Sequence, residues 1–223
     1  MQHITHQTRY LTLPILPNEE GMYTAYLDSN WALIEYALRC YSKVFAFRVD
    51  LRLPDGYNYL DTNLITRFFS SFKAMIKAQY YAKKRNNDGY VHPTEVHFVR
   101  VREVGGSGKP HYHICILLNG NAYWKLGKFA DSNSLSNKVN AAWASALNTH
   151  SNDGALWPTD GLVSFPDYCS YMLDRSKTDL NYQISELNKR LSYLAKVATK
   201  PRGNGIRCYG TSRIPKPQFV GGV

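Results

Sequence analysis

Two histidines two residues apart, His111 and His113, open the β-rich run His111-Tyr112-His113-Ile114-Cys115-Ile116. Side chains alternate across a strand, so both imidazoles emerge on one face and two nitrogen donors converge. That is the beginning of a divalent-metal site. An ion that acts on phosphate needs at least a third ligand, usually an oxygen. Glu103, just across the loop Gly105-Gly106-Ser107-Gly108-Lys109-Pro110, is the first candidate, with Asp50 and His97 in reserve. The hairpin register decides whether Glu103 qualifies. With Val104 opposite His111, Glu103 faces Tyr112 and points to the wrong side of the sheet. A bulge, or a loop one residue longer or shorter, returns it to the shared face. A solvated or hydrogen-bonded histidine pair has the same bare signature.

The second feature lies in residues 179–199, whose pattern predicts a helix. With Leu191 at zero and about 100° per residue, Leu180, Ile184, Leu187, Leu194, Ala195 and Ala198 form the buried stripe. Tyr193 falls on the opposite face with Lys189, Lys196, Lys200 and Tyr182. A tyrosine there is either an ordinary surface aromatic or a nucleophile. As a nucleophile, a hydroxyl with an ordinary pKa of about 10 needs cations or a metal to favour the phenolate. Tyr182, Tyr171 and Tyr168 are its competitors. From residue 187 to the end there is no Asp or Glu, while Lys189, Arg190, Lys196, Lys200, Arg202, Arg207, Arg213 and Lys216 supply positive charge. Tyr193, Tyr209 and Phe219 interleave with them. Cations for phosphates and rings for bases make a single-stranded nucleic-acid groove, although a solvated basic face reads the same way. Lys189, Lys200, Arg202, Arg207 and Arg213 are the candidate DNA contacts.

Taken together, Val101-Arg102-Glu103, the loop and strand from Gly105 through His111-Tyr112-His113 to Asn119, and Tyr193-Leu194-Ala195-Lys196 resemble the rolling-circle replication initiators of the HUH endonuclease superfamily. Within it they resemble the inovirus gene-two-protein-like family of filamentous phages and cryptic prophages. Arg207-Cys208-Tyr209-Gly210-Thr211-Ser212-Arg213 is similar to that family's terminal Gly-x-Ser-Arg element, so the likeness spans 44–213. It implies a single-strand DNA nicking and joining enzyme with a palm-like sheet. By the same resemblance, His111, His113 and Glu103 hold a Mg²⁺ or Mn²⁺ ion, Tyr193 is the nucleophile and Lys196 its accompanying cation. The expected partners are a single-stranded replication origin and a host helicase. Where some relatives carry a second tyrosine, this chain has Val197, so it looks like a one-tyrosine enzyme. Two rivals stand beside it. One is a non-enzymatic prophage DNA-binding regulator on the same fold. The other is a two-histidine phosphoesterase built on His3-Ile4-Thr5 and His92-Pro93-Thr94, where Pro93 argues against a central strand.

These residues must be held by a folded scaffold, and the composition allows one. The 223 residues are 44% hydrophobic and 20% charged with 17 tyrosines, which excludes a disordered chain. A net charge of +10 favours a polyanionic partner. No apolar run reaches membrane-spanning length and no signal peptide opens the chain, so a membrane is excluded as a partner and a cytoplasmic location in a bacterial host is expected. Cys40, Cys115, Cys169 and Cys208 form no C-x-x-C pair and are expected to be reduced thiols. Periodicity predicts helices over 28–43, 62–85, 134–147 and 179–199, a short one in 165–175, and strands over 44–53, 95–104 and 111–118. The sum is an α+β fold, a central antiparallel sheet with helices packed on it. Three parts are expected: an N-terminal helical segment 1–43, a nuclease core 44–200 and a basic tail 201–223.

Overall fold

The computed structural model describes residues 3–86, 89–106, 108–148, 159–200 and 206–215. Short strands β1 (Ile4–Thr5), β2 (Arg9–Tyr10), β3 (Leu13–Pro14) and β4 (Met22–Tyr23) open the chain, β1 pairing with β4 and β2 with β3. They lead into helix α1 (Thr24–Cys40) and the long strand β5 (Lys43–Arg52). Helix α2 (Leu64–Arg85) is followed by the hairpin β6 (His97–Val104) and β7 (Pro110–Asn119), then by helix α3 (Leu135–Asn148). Strands β8 (Val163–Ser164) and β9 (Ser170–Asp174), helix α4 (Leu180–Ser192), a single 3₁₀ turn at Tyr193–Ala195 and strand β10 (Tyr209–Thr211) complete it. The fold is α+β. Six strands form one sheet in the order β10-β6-β7-β5-β8, with β9 also on β5, and its pairings are antiparallel.

The sheet has two buried faces, so β5 and β7 carry apolar residues at successive positions, not only at alternate ones. Phe45, Phe47, Val49 and Leu51 pack with Tyr112, Ile114 and Ile116 under α2 and α3, where Phe68, Phe72 and Trp143 fill the layer. Val44, Ala46, Val99, Val101, Cys115 and Leu117 form the second layer beneath α1 and α4, against Leu33, Ile34, Leu187 and Leu191. Helix α1 is therefore part of the same core as residues beyond 43. Strand β10, from the basic C-terminal region, is the sheet's edge. The four cysteines are reduced thiols, none joined in a disulfide. Among the described residues no helix is long and apolar enough to cross a membrane.

Three expectations give way to tertiary context. Helix α1 starts at Thr24, four residues ahead of the expected 28, so that Asp28 lies inside its first turns and accepts a hydrogen bond from the Tyr10 hydroxyl at 2.7 Å. The segment 165–175 is no helix: its Ser170–Asp174 stretch pairs with Lys43 to Phe47, giving the backbone of β5 a ladder partner. Helix α4 ends at Ser192, not at 199. Beyond the 3₁₀ turn, Lys196 bridges to Met22 and Val197 donates its N–H to the Gly21 carbonyl at 3.0 Å. Pairing with the β4 segment thus replaces about the last turn of the expected helix. Gly21 makes this possible, since at φ +78° a Cβ would lie 2.4 Å from Ile4 Cγ2.

Candidate metal and nucleophile site

The hairpin register settles the face of Glu103. Val104 pairs with Pro110, so Glu103 stands opposite His111 and Val101 opposite His113. The connection is one residue shorter than the form that hides Glu103, and the three side chains share the α4 side of the sheet. Their ligand atoms all lie within 4.8 Å of one another. His111 Nε2 and His113 Nε2 are 3.2 Å apart, and Glu103 Oε2 is 3.6 Å from His113 Nε2. Glu103 is 1% exposed and His113 7%.

Strand β5 supplies the support. Asp50 pairs with His113 across the β5/β7 ladder, and His113 Nδ1 bonds Asp50 Oδ1 at 2.7 Å. Arg48 Nη2 approaches the same nitrogen at 3.0 Å, but a guanidinium only donates, so a proton on Nδ1 points to Asp50. Arg48 Nε in turn bonds Asp50 Oδ1 at 3.1 Å. Burial pushes the Asp50 carboxyl up, yet His113 and Arg48 hold it below its ordinary value. Burial pushes the His113 imidazole down, while Asp50 and Glu103 outweigh that and raise it. His111 is driven down by burial and by the charge of His113.

This arrangement fits a metal ion. With Nδ1 protonated toward Asp50, a neutral His113 aims the lone pair of Nε2 at His111 Nε2 and Glu103. Nitrogens bound at ~2.1 Å to one ion stand roughly 3.0–3.4 Å apart, the separation found here. The carboxylate behind His113 is the orienting partner a metal-bound histidine uses. Glu103 Oε1 is buried without a hydrogen-bond partner. His97, six residues earlier on β6, is buried against Tyr36 and Tyr41 of the α1 layer and takes no part.

The segment 196–200 folds over Glu103 as a clamp. Thr199, at φ +65°, donates its hydroxyl to Glu103 Oε2 at 2.7 Å, and its carbonyl accepts from Val104 N–H at 3.0 Å. Lys196 Nζ lies 3.0 Å from Glu103 Oε2, and Lys200 Nζ lies 3.7 Å from Oε1. Burial pushes the Glu103 carboxyl up, but His113, Thr199 and Lys196 overcome it and hold the pKa at about 2. For Lys200, burial dominates and lowers the ammonium to about 8.

Tyr193 stands beside this cluster, half-buried and not on an open helix face. Its ring is 5.7 Å from that of His113, centroid to centroid, and Arg48 Cζ lies 4.8 Å from its centroid. Lys196 Nζ donates to its hydroxyl at 2.7 Å. The Lys196 N–H closes the turn onto the Tyr193 carbonyl at 3.3 Å, which keeps the two side chains side by side. A cleft of about 400 Å³, lined by Asp50, Arg52, Lys109, His111 and His113, opens onto the two imidazoles.

The other predicted contacts are dispersed. Lys200 is buried in the clamp, bonded to the Lys196 carbonyl, and offers no open surface to DNA. Lys189 lines a different cavity, about 580 Å³ between α4 and β9, with the competing tyrosines Tyr168, Tyr171 and Tyr182. Arg190 donates to the Tyr171 hydroxyl at 2.8 Å. Arg207 and Arg213 are exposed near β10, and Arg202, Lys216 and Phe219 lie outside the described residues. Sequence reasoning missed Arg48 and Thr199. The charged alternation of Arg48, Asp50 and Arg52 in β5 was a signal for the first; nothing local marks the second.

A family model of the YagK/YfjJ C-terminal domain matches residues 5–212. The chain belongs to this family. It is 35% identical over 191 residues to a protein of Escherichia coli (strain K12) named uncharacterized protein YagK, covering 82% of this chain and 89% of that one. Uncharacterized protein YfjJ of the same organism is 31% identical over 200 residues, 84% of this chain and 93% of its own. No solved structure matches the chain. Every residue of the cluster falls within the span of the YagK/YfjJ domain match, hairpin and clamp alike.

Proposed function

We propose that this YagK/YfjJ-family protein is a metal-dependent, sequence-specific single-strand DNA nickase and strand-joining enzyme of HUH type that starts rolling-circle replication of a phage or prophage element in the cytoplasm of its bacterial host. The observation that carries the reading is the meeting of Tyr193, Lys196 and Glu103 with the His111/His113 pair at one point of the sheet. Tyr193 contributes the attacking oxygen. Its attack on a phosphodiester forms a 5′-phosphotyrosine and breaks the bond to the 3′ oxygen, which takes up a proton and leaves as a 3′-hydroxyl. Lys196 donates to the phenol oxygen and orients it, and the phenolic proton passes to solvent as that oxygen attacks. Asp50 and Arg48 fix the His113 ring, and Glu103 completes the ligand set. When bound, a divalent ion would offset charge on the scissile phosphate. Two imidazoles with one carboxylate suit Mn²⁺ better than the all-oxygen preference of Mg²⁺. The joining reaction is the reverse attack by a 3′-hydroxyl on the phosphotyrosine.

The alternative, a DNA-binding regulator without catalysis, draws on one feature: Thr199 and Lys196 already satisfy Glu103 Oε2. One experiment separates the readings. Incubation with single-stranded origin fragments and Mn²⁺ should give a covalent protein–DNA adduct that Tyr193→Phe abolishes. Tight binding with no adduct under any divalent ion would leave the regulator.

A further inference from the structure

The opposite face of β6 carries a second charged cluster. Lys73 of α2, Arg100 of β6 and Arg207 line a cavity of about 260 Å³ together with Thr66, Phe98 and Thr211. No Asp or Glu lines it among the described residues. Arg100 is half-buried, and its guanidinium donates to the Arg207 carbonyl at 3.1 Å. Burial, joined by the charge of Arg207, lowers the Arg100 pKa. Gly210 faces this guanidinium across the β10/β6 pair, where a Cβ would come to 3.3 Å from Arg100 Nε. Lys73 Nζ sits 5.5 Å from the Phe98 ring centroid, and the Phe69 ring stacks on that same ring at 3.6 Å.

Three cations around one cavity repel, and a guanidinium drawn from water without a carboxylate is costly until an anion meets it. Lys73 and Arg207 are exposed at the rim, so the cavity is an open groove suited to a chain passing through. It is also close to the chemistry. Arg100 lies three residues, about 10 Å of strand, from Glu103. The chain runs from Lys200 in the clamp to Arg207 in the groove in seven residues.

We propose that Lys73, Arg100 and Arg207 bind backbone phosphates of the DNA strand that flanks the cleavage point, guiding it round the β10 edge of the sheet. This rests on the reading of the protein as a single-strand DNA enzyme. The test uses the full chain carrying Tyr193→Phe, so that no covalent step intervenes, and measures binding of a fluorescein-labelled oligothymidine by anisotropy across a salt series. Lys73→Gln/Arg207→Gln, both at exposed positions, should lower the slope of log affinity against log salt by about 1.4, two contacts at about 0.7 each. Arg100→Gln, checked for folding by circular dichroism, should lower it by about 0.7. The charge-matched control Lys84→Gln/Arg85→Gln, at the end of α2, should leave it unchanged. An unchanged slope in the groove variants, or an equal fall in the control, overturns the groove. Displacement of the oligonucleotide by inorganic phosphate at matched ionic strength, lost in the groove variants, also overturns it and reassigns the site to a small anion. If the groove effect appears while the wild type forms no adduct, the groove stands and the nickase reading falls. If an adduct forms while the groove variants match the control, the groove alone falls. No DNA binding at all sinks both.

Discussion

Replacing Glu103 by Gln tests the electrostatic reasoning directly. The carboxylate is 1% exposed, accepts from Thr199, and faces Lys196 and Lys200, themselves each 8% exposed. Removing the anion leaves two buried ammonium groups unmatched, a change that typically costs about 3–5 kcal/mol. The depressed pKa reports the same interactions on the same scale: displacement from 4.5 to about 2 corresponds to about 3 kcal/mol of preference for the charged form in the fold. A loss of about 3 kcal/mol should lower Tm by roughly 6–12 °C in a chain of this size. The pH dependence follows from the sign of the displacement. A carboxylate whose folded pKa is depressed gives stability that is complete above its unfolded value near 4.5 and fades as pH falls toward 2. Thermal unfolding in chelator should therefore show wild type well above Glu103→Gln at neutral pH, with the gap closing in acid. A difference below about 0.5 kcal/mol at neutral pH, or a gap that does not narrow in acid, would refute the account of the clamp.

Tyr193→Phe should abolish the adduct yet cost only about 1–2 kcal/mol, the loss of one hydrogen bond to an ammonium, read by denaturant unfolding. Asp50→Asn removes the carboxylate behind His113 and should weaken Mn²⁺ binding about 10- to 100-fold by calorimetry. Because Asp50 and Glu103 raise the His113 pKa, an ion must compete with that proton; Mn²⁺ affinity should already begin to fall above the ordinary imidazole value of 6.5, continue to fall as the pH drops, and recover as the pH is raised again. Tyr209→Ala should cost about 3 kcal/mol in chemical unfolding, since its ring stacks on Tyr26 at 3.9 Å and its hydroxyl bonds Asn30 at 2.8 Å.

The hairpin was legible because strand alternation is local: the spacing of His111 and His113 alone sets their common face. Glu103 was legible only up to a parity, since the choice between register Val104 to Pro110 and Val104 to His111 is made by how a glycine-rich loop closes. Of the stripe expected over 179–199, Leu187 and Leu191 of α4 and Leu194 and Ala195 of the 3₁₀ turn are buried, while Leu180, Ile184 and Ala198 are half-buried. What periodicity could not carry was the end of that helix. Lys196 lies near Tyr193 in either a helix or a 3₁₀ turn. The descent of 196–200 onto Glu103, however, depends on Gly21 and Met22, some 175 residues earlier, which no window along the sequence can see. The strand at 170–174 was misread for the same reason, because its partner β5 lies far away in sequence.

The charge around the histidines bears on why these groups stand together. Asp50 and Glu103 face Arg48, Lys196 and Lys200, so with both imidazoles neutral the cluster already holds one more positive than negative charge. A structural ion-pair network would gain nothing from that surplus, and burial of Lys200 makes it costly. A divalent cation alone would deepen the imbalance. Phosphodiesters, one negative charge each, reverse it. On the nickase proposed above, this surplus would suit the phosphodiesters of a DNA strand held against the histidine face, and the chain's overall charge of +10 accords with that proposal. On this argument Lys196 has two duties that do not conflict. It pairs with Glu103 at 3.0 Å and, in the same position, donates to the Tyr193 oxygen at 2.7 Å.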